Sequence, residues 1–168
     1  MRKLLQIIVV SGVLLLIIFL SVGICTKIGD HKAANEKAAT LPAFAFLTID
    51  GRPISSVELA KTNDKIIIVF FNPECEHCQY MAKSLANAAD KLDGYLVVMT
   101  TIADSASVSG FRRDYGLDMA SYVLFLRDSK FEFEKIFGTS VVPSFFVYKN
   151  RVLTKKIIGE TKIENLLQ

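Results

Sequence analysis

Asn72-Pro73-Glu74-Cys75-Glu76-His77-Cys78 follows directly on the apolar run Ile66-Ile67-Ile68-Val69-Phe70-Phe71, and a helical pattern begins where it ends. The run is β-branched and has no polar break, so it reads as a central strand covered on both faces. Met81, Leu85, Ala88, Ala89 and Leu92 then recur at helical spacing and predict a helix over residues 75–92. A strand that delivers two thiols to a helix N-terminus suits thiol–disulfide exchange. Free backbone N–H groups and the helix dipole favour an anion there, so Cys75 is placed to accumulate thiolate. Cys78 comes one helical turn later, within reach of a mixed disulfide formed on Cys75.

Upstream, Met1-Arg2-Lys3 precedes an apolar run over residues 4–25 that only Gln6, Ser11, Gly12, Ser21 and Gly23 interrupt. A stretch of about 20 such residues spans a bilayer as a helix, and Arg2 and Lys3 place its N-terminal end in the cytoplasm. Residues 1–25 are expected to be an uncleaved membrane anchor. The competing reading is a cleaved signal peptide, whose apolar stretch is normally roughly 7–15 residues and ends at small residues. The first Ala pair here, Ala33-Ala34, lies well past the run. A lipid-modified Cys25 would want a small residue before it, and Ile24 stands there, so Cys25 reads as a residue of the anchor. The single-pass topology puts the rest of the chain on the extracytoplasmic side of a bacterial cytoplasmic membrane, where disulfides are permitted. Cys75 and Cys78 are then the only cysteines exported. A loop that short constrains little chain, so the pair reads as a working couple rather than a staple. With His31 and His77 the only histidines, a zinc site lacks ligands, and no metal or other cofactor is expected. The formal net charge of +3 is spread in both signs, with no basic block to suit nucleic acid.

Residues 26–40 are polar and rich in Ala and Lys, a linker in which His31 is a solvated residue. The globular domain is expected over residues 41–168. Phe44, Phe46 and Ile49 fall in an extended stretch before a turn at Asp50-Gly51. Ser55 or Ser56 can cap a short helix. Residues 95–101 read as a second buried strand, 105–115 as a helix stopped by Gly116, and 122–126 as a short strand. Residues 130–137 are ambiguous between strand and helix. Residues 144–148 and 152–158 form strands joined by a turn at Lys149-Asn150, and 160–167 a terminal helix. Alternating elements in the first half demand parallel strands with right-handed crossovers, and the tight final turn demands an antiparallel hairpin. The expected fold is α/β, three-layered, with a central mixed β-sheet and helices on both faces.

From residue 41 on, the chain resembles the thioredoxin superfamily, and within it the membrane-tethered thiol–disulfide oxidoreductases of the TlpA/ResA-like group. The resemblance rests on the N-terminal anchor, on Phe70-Phe71-Asn72-Pro73-Glu74-Cys75-Glu76-His77-Cys78, and on Val141-Val142-Pro143-Ser144-Phe145-Phe146-Val147. The segment between Thr101 and Gly138 also resembles an insert of that group. The resemblance implies that Cys75 attacks and Cys78 resolves. It further implies that Pro143 is the family's cis-proline, turning the backbone of Val142 toward the thiols so that a substrate strand can pair beside Cys75. His77 can donate toward the Cys75 sulfur, while the charges of Glu74 and Glu76 oppose its ionisation. The chain departs from the family pattern in three ways. Glu74 replaces the frequent Trp, Glu76-His77 replaces Gly-Pro or Pro-Pro, and Val69 stands where a buried acid often lies on the preceding strand. The proton of Cys78 must then pass to Glu74, Glu76, water or an acid outside the motif.

The expected activity is disulfide exchange with exported proteins, with the reducing direction favoured, supplied by a membrane or extracytoplasmic electron donor. The alternatives are a thiol peroxidase of the AhpC/TSA group and a non-enzymatic copper-delivery or binding module. The first would want an activating Thr upstream of Cys75, where Ile68-Val69-Phe70-Phe71 stand; the second would want one more residue between the cysteines and a later His. Gln79 after Cys78 excludes a c-type haem attachment motif.

Overall fold

The computed structural model describes residues 12, 14–23, 34 and 36–167. Seven strands are present among them: β1 (Ala45–Leu47), β2 (Pro53–Ser55), β3 (Lys65–Phe70), β4 (Leu96–Thr101), β5 (Val123–Arg127), β6 (Ser144–Lys149) and β7 (Val152–Ile158). From β1 onward the helices are α1 (Ser56–Thr62), α2 (Glu76–Ala86), α3 (Ser105–Asp114), α4 (Phe133–Phe137) and α5 (Ile163–Leu167), with a 3₁₀ turn at Ala89–Leu92. The strands form one mixed sheet in the order β2-β1-β5-β4-β3-β6-β7. The β3–β4 and β4–β5 pairs are parallel, while β6 runs antiparallel to both β3 and β7.

The uninterrupted apolar character of β3 has its cause in this layering. Ile67 and Val69 face a core with Met81, Ala82 and Leu85 of α2, Val108 and Phe111 of α3, and Ile163 and Leu166 of α5. Ile66, Ile68 and Phe70 face a second core with Leu59 of α1 and Phe133 and Phe137 of α4. Each face of a strand takes every second residue, so a strand covered on both sides has no polar position to spare. The second core is a run of stacked rings, with Phe133 centred 4.1 Å from Phe70 and 4.3 Å from Phe137.

The structure departs from the sequence expectations at three places. The helix expected over residues 75–92 stops at Ala86, and Ala89–Leu92 tightens into a 3₁₀ turn. Asn87 favours leaving the helix, and the tighter turn still buries both Ala88 and Leu92. The ambiguous stretch becomes α4: the buried Asp128 carboxylate accepts from the Phe133 amide at 2.8 Å, and Gly138 closes the helix at φ +70°. The terminal helix begins at Ile163 rather than Glu160, which frees Glu160 for another contact.

Packing reaches back past Leu41. Ala38 is buried, its carbonyl accepts from the Tyr148 hydroxyl, and Thr40 bridges Val152. Most of the expected linker and anchor, including Arg2, Lys3, Cys25 and His31, lies outside the described residues. Residues 14–23 are helical, with Leu14, Phe19 and Val22 exposed. Among the described residues no helix is long and apolar enough to cross a membrane.

Candidate active site

β3 ends at Phe70, and the chain turns through Asn72-Pro73-Glu74 into α2. The turn is tied by three bonds. The Asn72 side chain accepts from the Glu74 amide at 3.0 Å, the Asn72 carbonyl accepts from the Cys75 amide at 3.1 Å, and Gln79 Nε2 donates to the Pro73 carbonyl at 2.9 Å. They set Cys75 at the N-cap of α2 with extended backbone, φ −82° and ψ 118°. Cys75 is partly buried and has no side-chain capping bond, so its sulfur stands at the open end of the helix.

Cys78, in the first turn of α2, is 1% exposed and belongs to the core with Val69, Met81 and Phe71. Both cysteines are free thiols, one helical turn apart at the start of α2. Burial pushes the Cys78 thiol up to about 12; a backbone hydrogen bond from Asn72 opposes the rise, and the neighbouring Cys75 adds to it. The two sulfurs therefore differ in kind, one reachable at a helix end and the other sealed and held protonated.

The loop before β6 completes the site. Phe70 pairs with Ser144, so Pro143 lies beside the point where β3 runs into the cysteine loop. The Val142–Pro143 bond is cis. Pro143 is buried and Val142 partly so. The Ser144 hydroxyl donates to the Val141 carbonyl and steadies the loop. A concave surface of about 220 Å³ adjoins it, lined by Phe71, Asn72, Ile102, Phe131 and Val142 among others. Phe131 is 65% exposed with a left-handed backbone, φ +57°, and Ile102 is 51% exposed.

The remaining sequence candidates fall on the same face. Glu74 and Glu76 are exposed and flank Cys75. His77 does not bond to the Cys75 sulfur. Its Nδ1 lies 2.6 Å from Glu160 Oε2, across 83 residues of chain. Val69 is apolar and 1% exposed, and Asp128, the buried carboxylate among the described residues, is taken up by the amides of Lys130 and Phe133. Glu160, Ile102 and Phe131 join this face without a motif in the sequence to single them out. Glu160 carried one local signal, Gly159 at the end of β7, where φ +93° breaks the strand. Among the described residues no cluster of His, Cys, Asp and Glu is arranged to hold a metal ion.

No curated protein matches the sequence. Solved structures show the same fold at low identity. A secreted Mycobacterium tuberculosis disulfide oxidoreductase, described as homologous to E. coli DsbE, superposes with a TM-score of 0.58 at 20% identity, over 71% of this chain and 85% of that one. StoA from Bacillus subtilis gives 0.59 at 22% identity, over 76% and 96%. A peroxiredoxin-like protein from Aquifex aeolicus gives 0.62 at 11% identity, over 77% and 82%, so fold alone does not choose between disulfide and peroxide chemistry. The sequence model of the thioredoxin-like domain matches residues 53–168, and the chain belongs to that family.

Proposed function

We propose that the chain is a membrane-anchored thiol–disulfide oxidoreductase that reduces disulfides of exported proteins through the Cys75–Cys78 couple. One observation carries this reading: a partly exposed sulfur at a helix N-terminus stands a single turn from a sealed, protonated one. In the reducing direction the Cys75 thiolate attacks one sulfur of a substrate disulfide. The substrate S–S bond breaks, the Cys75–substrate bond forms, and the other substrate sulfur leaves as thiolate and takes up a proton. Cys78 then loses its proton and attacks the Cys75 sulfur. The second substrate thiol leaves, and the Cys75–Cys78 disulfide holds the oxidising equivalents until an external dithiol donor reduces it.

The other site residues have supporting parts. Val142 and Pro143 offer backbone to an extended substrate segment, while Phe131 and Ile102 offer it an apolar shelf. Glu74, Glu76 or water takes the Cys78 proton. The engagement of His77 with Glu160 supports the reducing direction, because the imidazole lends no hydrogen bond to the Cys75 thiolate and leaves the reduced form without that stabilisation.

The test is equilibration of the full chain in detergent with graded glutathione or dithiothreitol buffers, read by mass spectrometry and by a disulfide-reduction assay on insulin. A reversible loss of two hydrogens, with a potential toward the thioredoxin end, is expected. No reversible change would sink the reading. Consumption of hydrogen peroxide in preference to disulfides would replace it with the peroxidase.

A further inference from the structure

We propose that Glu160 is a positioning residue of the redox site: it holds the His77 imidazole off the Cys75 sulfur and so keeps the Cys75–Cys78 couple reducing. The proposal rests on the reading of that pair as a redox couple.

The contact is specific in its atoms. Nδ1, the ring nitrogen nearer the backbone, meets Glu160 Oε2 at 2.6 Å. A carboxylate accepts only, so the Nδ1 proton points to Glu160 and the tautomer is fixed. Nδ1 is then unavailable to a thiolate. The carboxylate is itself anchored. Glu160 follows Gly159, whose amide donates to the Pro143 carbonyl at 2.8 Å, and precedes α5, whose Ile163 and Leu166 are buried against the α2 core. A second tie, Lys91 to Glu164, joins α5 to the 3₁₀ turn that follows α2. Other charges close by in the sequence are Glu74 and Glu76 on the cysteine loop and Lys162 beyond Glu160. None of these three makes a hydrogen bond or ion pair to His77.

Both members of the pair are solvent-accessible, with side chains 71% and 40% exposed. Such pairs contribute little to folding, so removing the carboxylate leaves the fold in place and acts on the couple. Without Glu160 the ring can turn and donate to the Cys75 sulfur when that sulfur carries charge. A hydrogen bond to the thiolate stabilises the reduced form and makes the couple more oxidising.

The experiment is a redox titration of the full chain against glutathione for the parent, Glu160→Ala, Glu160→Gln, His77→Ala and the Glu160→Ala/His77→Ala double variant. Glu160→Ala is expected to shift the equilibrium about tenfold toward the reduced form, about 30 mV for two electrons. Glu160→Gln, whose amide oxygen still accepts from Nδ1, stays nearer the parent. In the His77→Ala background the Glu160 substitution has no effect. The inference is overturned by an unchanged potential in Glu160→Ala, by a shift toward the oxidised form, or by an equal shift with and without His77. If the parent itself shows no reversible couple, the proposed function falls and takes this inference with it. If the parent titrates normally and Glu160→Ala matches it, this inference alone is lost.

Discussion

The amide of Gly159 donates to the carbonyl of Pro143 at 2.8 Å. This bond carries the β6–β7 ladder one step beyond its last paired residues, Ser144 and Ile158. It fastens the corner after β7 to the proline loop, and the next residue, Glu160, reaches across to His77. Two loops of the candidate site are thereby tied through a third segment. The cysteine loop and the proline loop adjoin β3 and β6, neighbours in the sheet, while β7 stands at its edge and leads into the segment that meets His77.

The asymmetry of the two sulfurs underlies the roles proposed for them. Cys75→Ser removes the attacking atom and is expected to abolish disulfide reduction. Cys78→Ser leaves the attacker but not the resolver, so the mixed disulfide accumulates. Non-reducing electrophoresis with a disulfide-bearing substrate checks both. Repeated turnover by the Cys78 variant at the parent's rate would reverse the assignment.

The same asymmetry governs alkylation. Cys75 is partly buried at the helix end and Cys78 is 1% exposed, held protonated with a pKa of about 12. At neutral pH, iodoacetamide is expected to modify Cys75 and spare Cys78 until the protein is unfolded. Peptide mass mapping distinguishes the two sites and keeps Cys25 apart from both. Equal labelling of the native protein would mean that Cys78 is not sealed.

The raised Cys78 pKa also makes the reduced protein sensitive to alkali. An unfolded thiol ionises around its ordinary value of 9.0, while the folded one resists until about 12. Between those values the unfolded state has lost a proton that the native state retains, so the native state loses ground as pH rises. The contribution of Cys78 is complete below the lower value and gone above the higher one. Urea midpoints of the reduced protein should fall across this window, and Cys78→Ala should flatten that part of the profile. An identical slope in the variant would place the alkaline sensitivity elsewhere.

Much of this arrangement is legible in the chain because it is local. The strand, the Asn72–Cys78 turn and the helix follow one another without interruption, and a two-sided apolar run can sit only at the middle of a covered sheet. The β6–β7 hairpin is set by its turn, where Asn150 and Arg151 both adopt left-handed backbone. Other features depend on distance. Nothing near His77 announces a carboxylate 83 residues away. The helix after Cys78 reads longer in sequence than it is because Ala88, Ala89 and Leu92 continue the apolar spacing while the backbone tightens beneath them. The stretch before Gly138 is ambiguous in sequence because Phe131, Phe133 and Phe137 suit either period. Asp128 decides it by binding the Phe133 amide from outside the helix.

That capped aromatic helix gives the last prediction, on stability. Phe133 is 1% exposed, stacks on Phe70 at 4.1 Å and on Phe137 at 4.3 Å, and packs edge-on to Phe146 at 6.0 Å. Phe133→Ala deletes the ring at the centre of this group, and the rigid β3 and β6 on one side limit how far neighbours can collapse into the space. The expected loss is about 3–5 kcal/mol, as for other buried Phe truncations. Phe133→Leu fills most of the volume and should cost less. Urea denaturation followed by far-UV circular dichroism measures both. Phe131, two residues earlier and 65% exposed, is the internal control, since Phe131→Ala should leave the midpoint nearly unchanged. If the two alanine variants lost equal stability, Phe131 would be a packing residue and not a surface offered to a substrate.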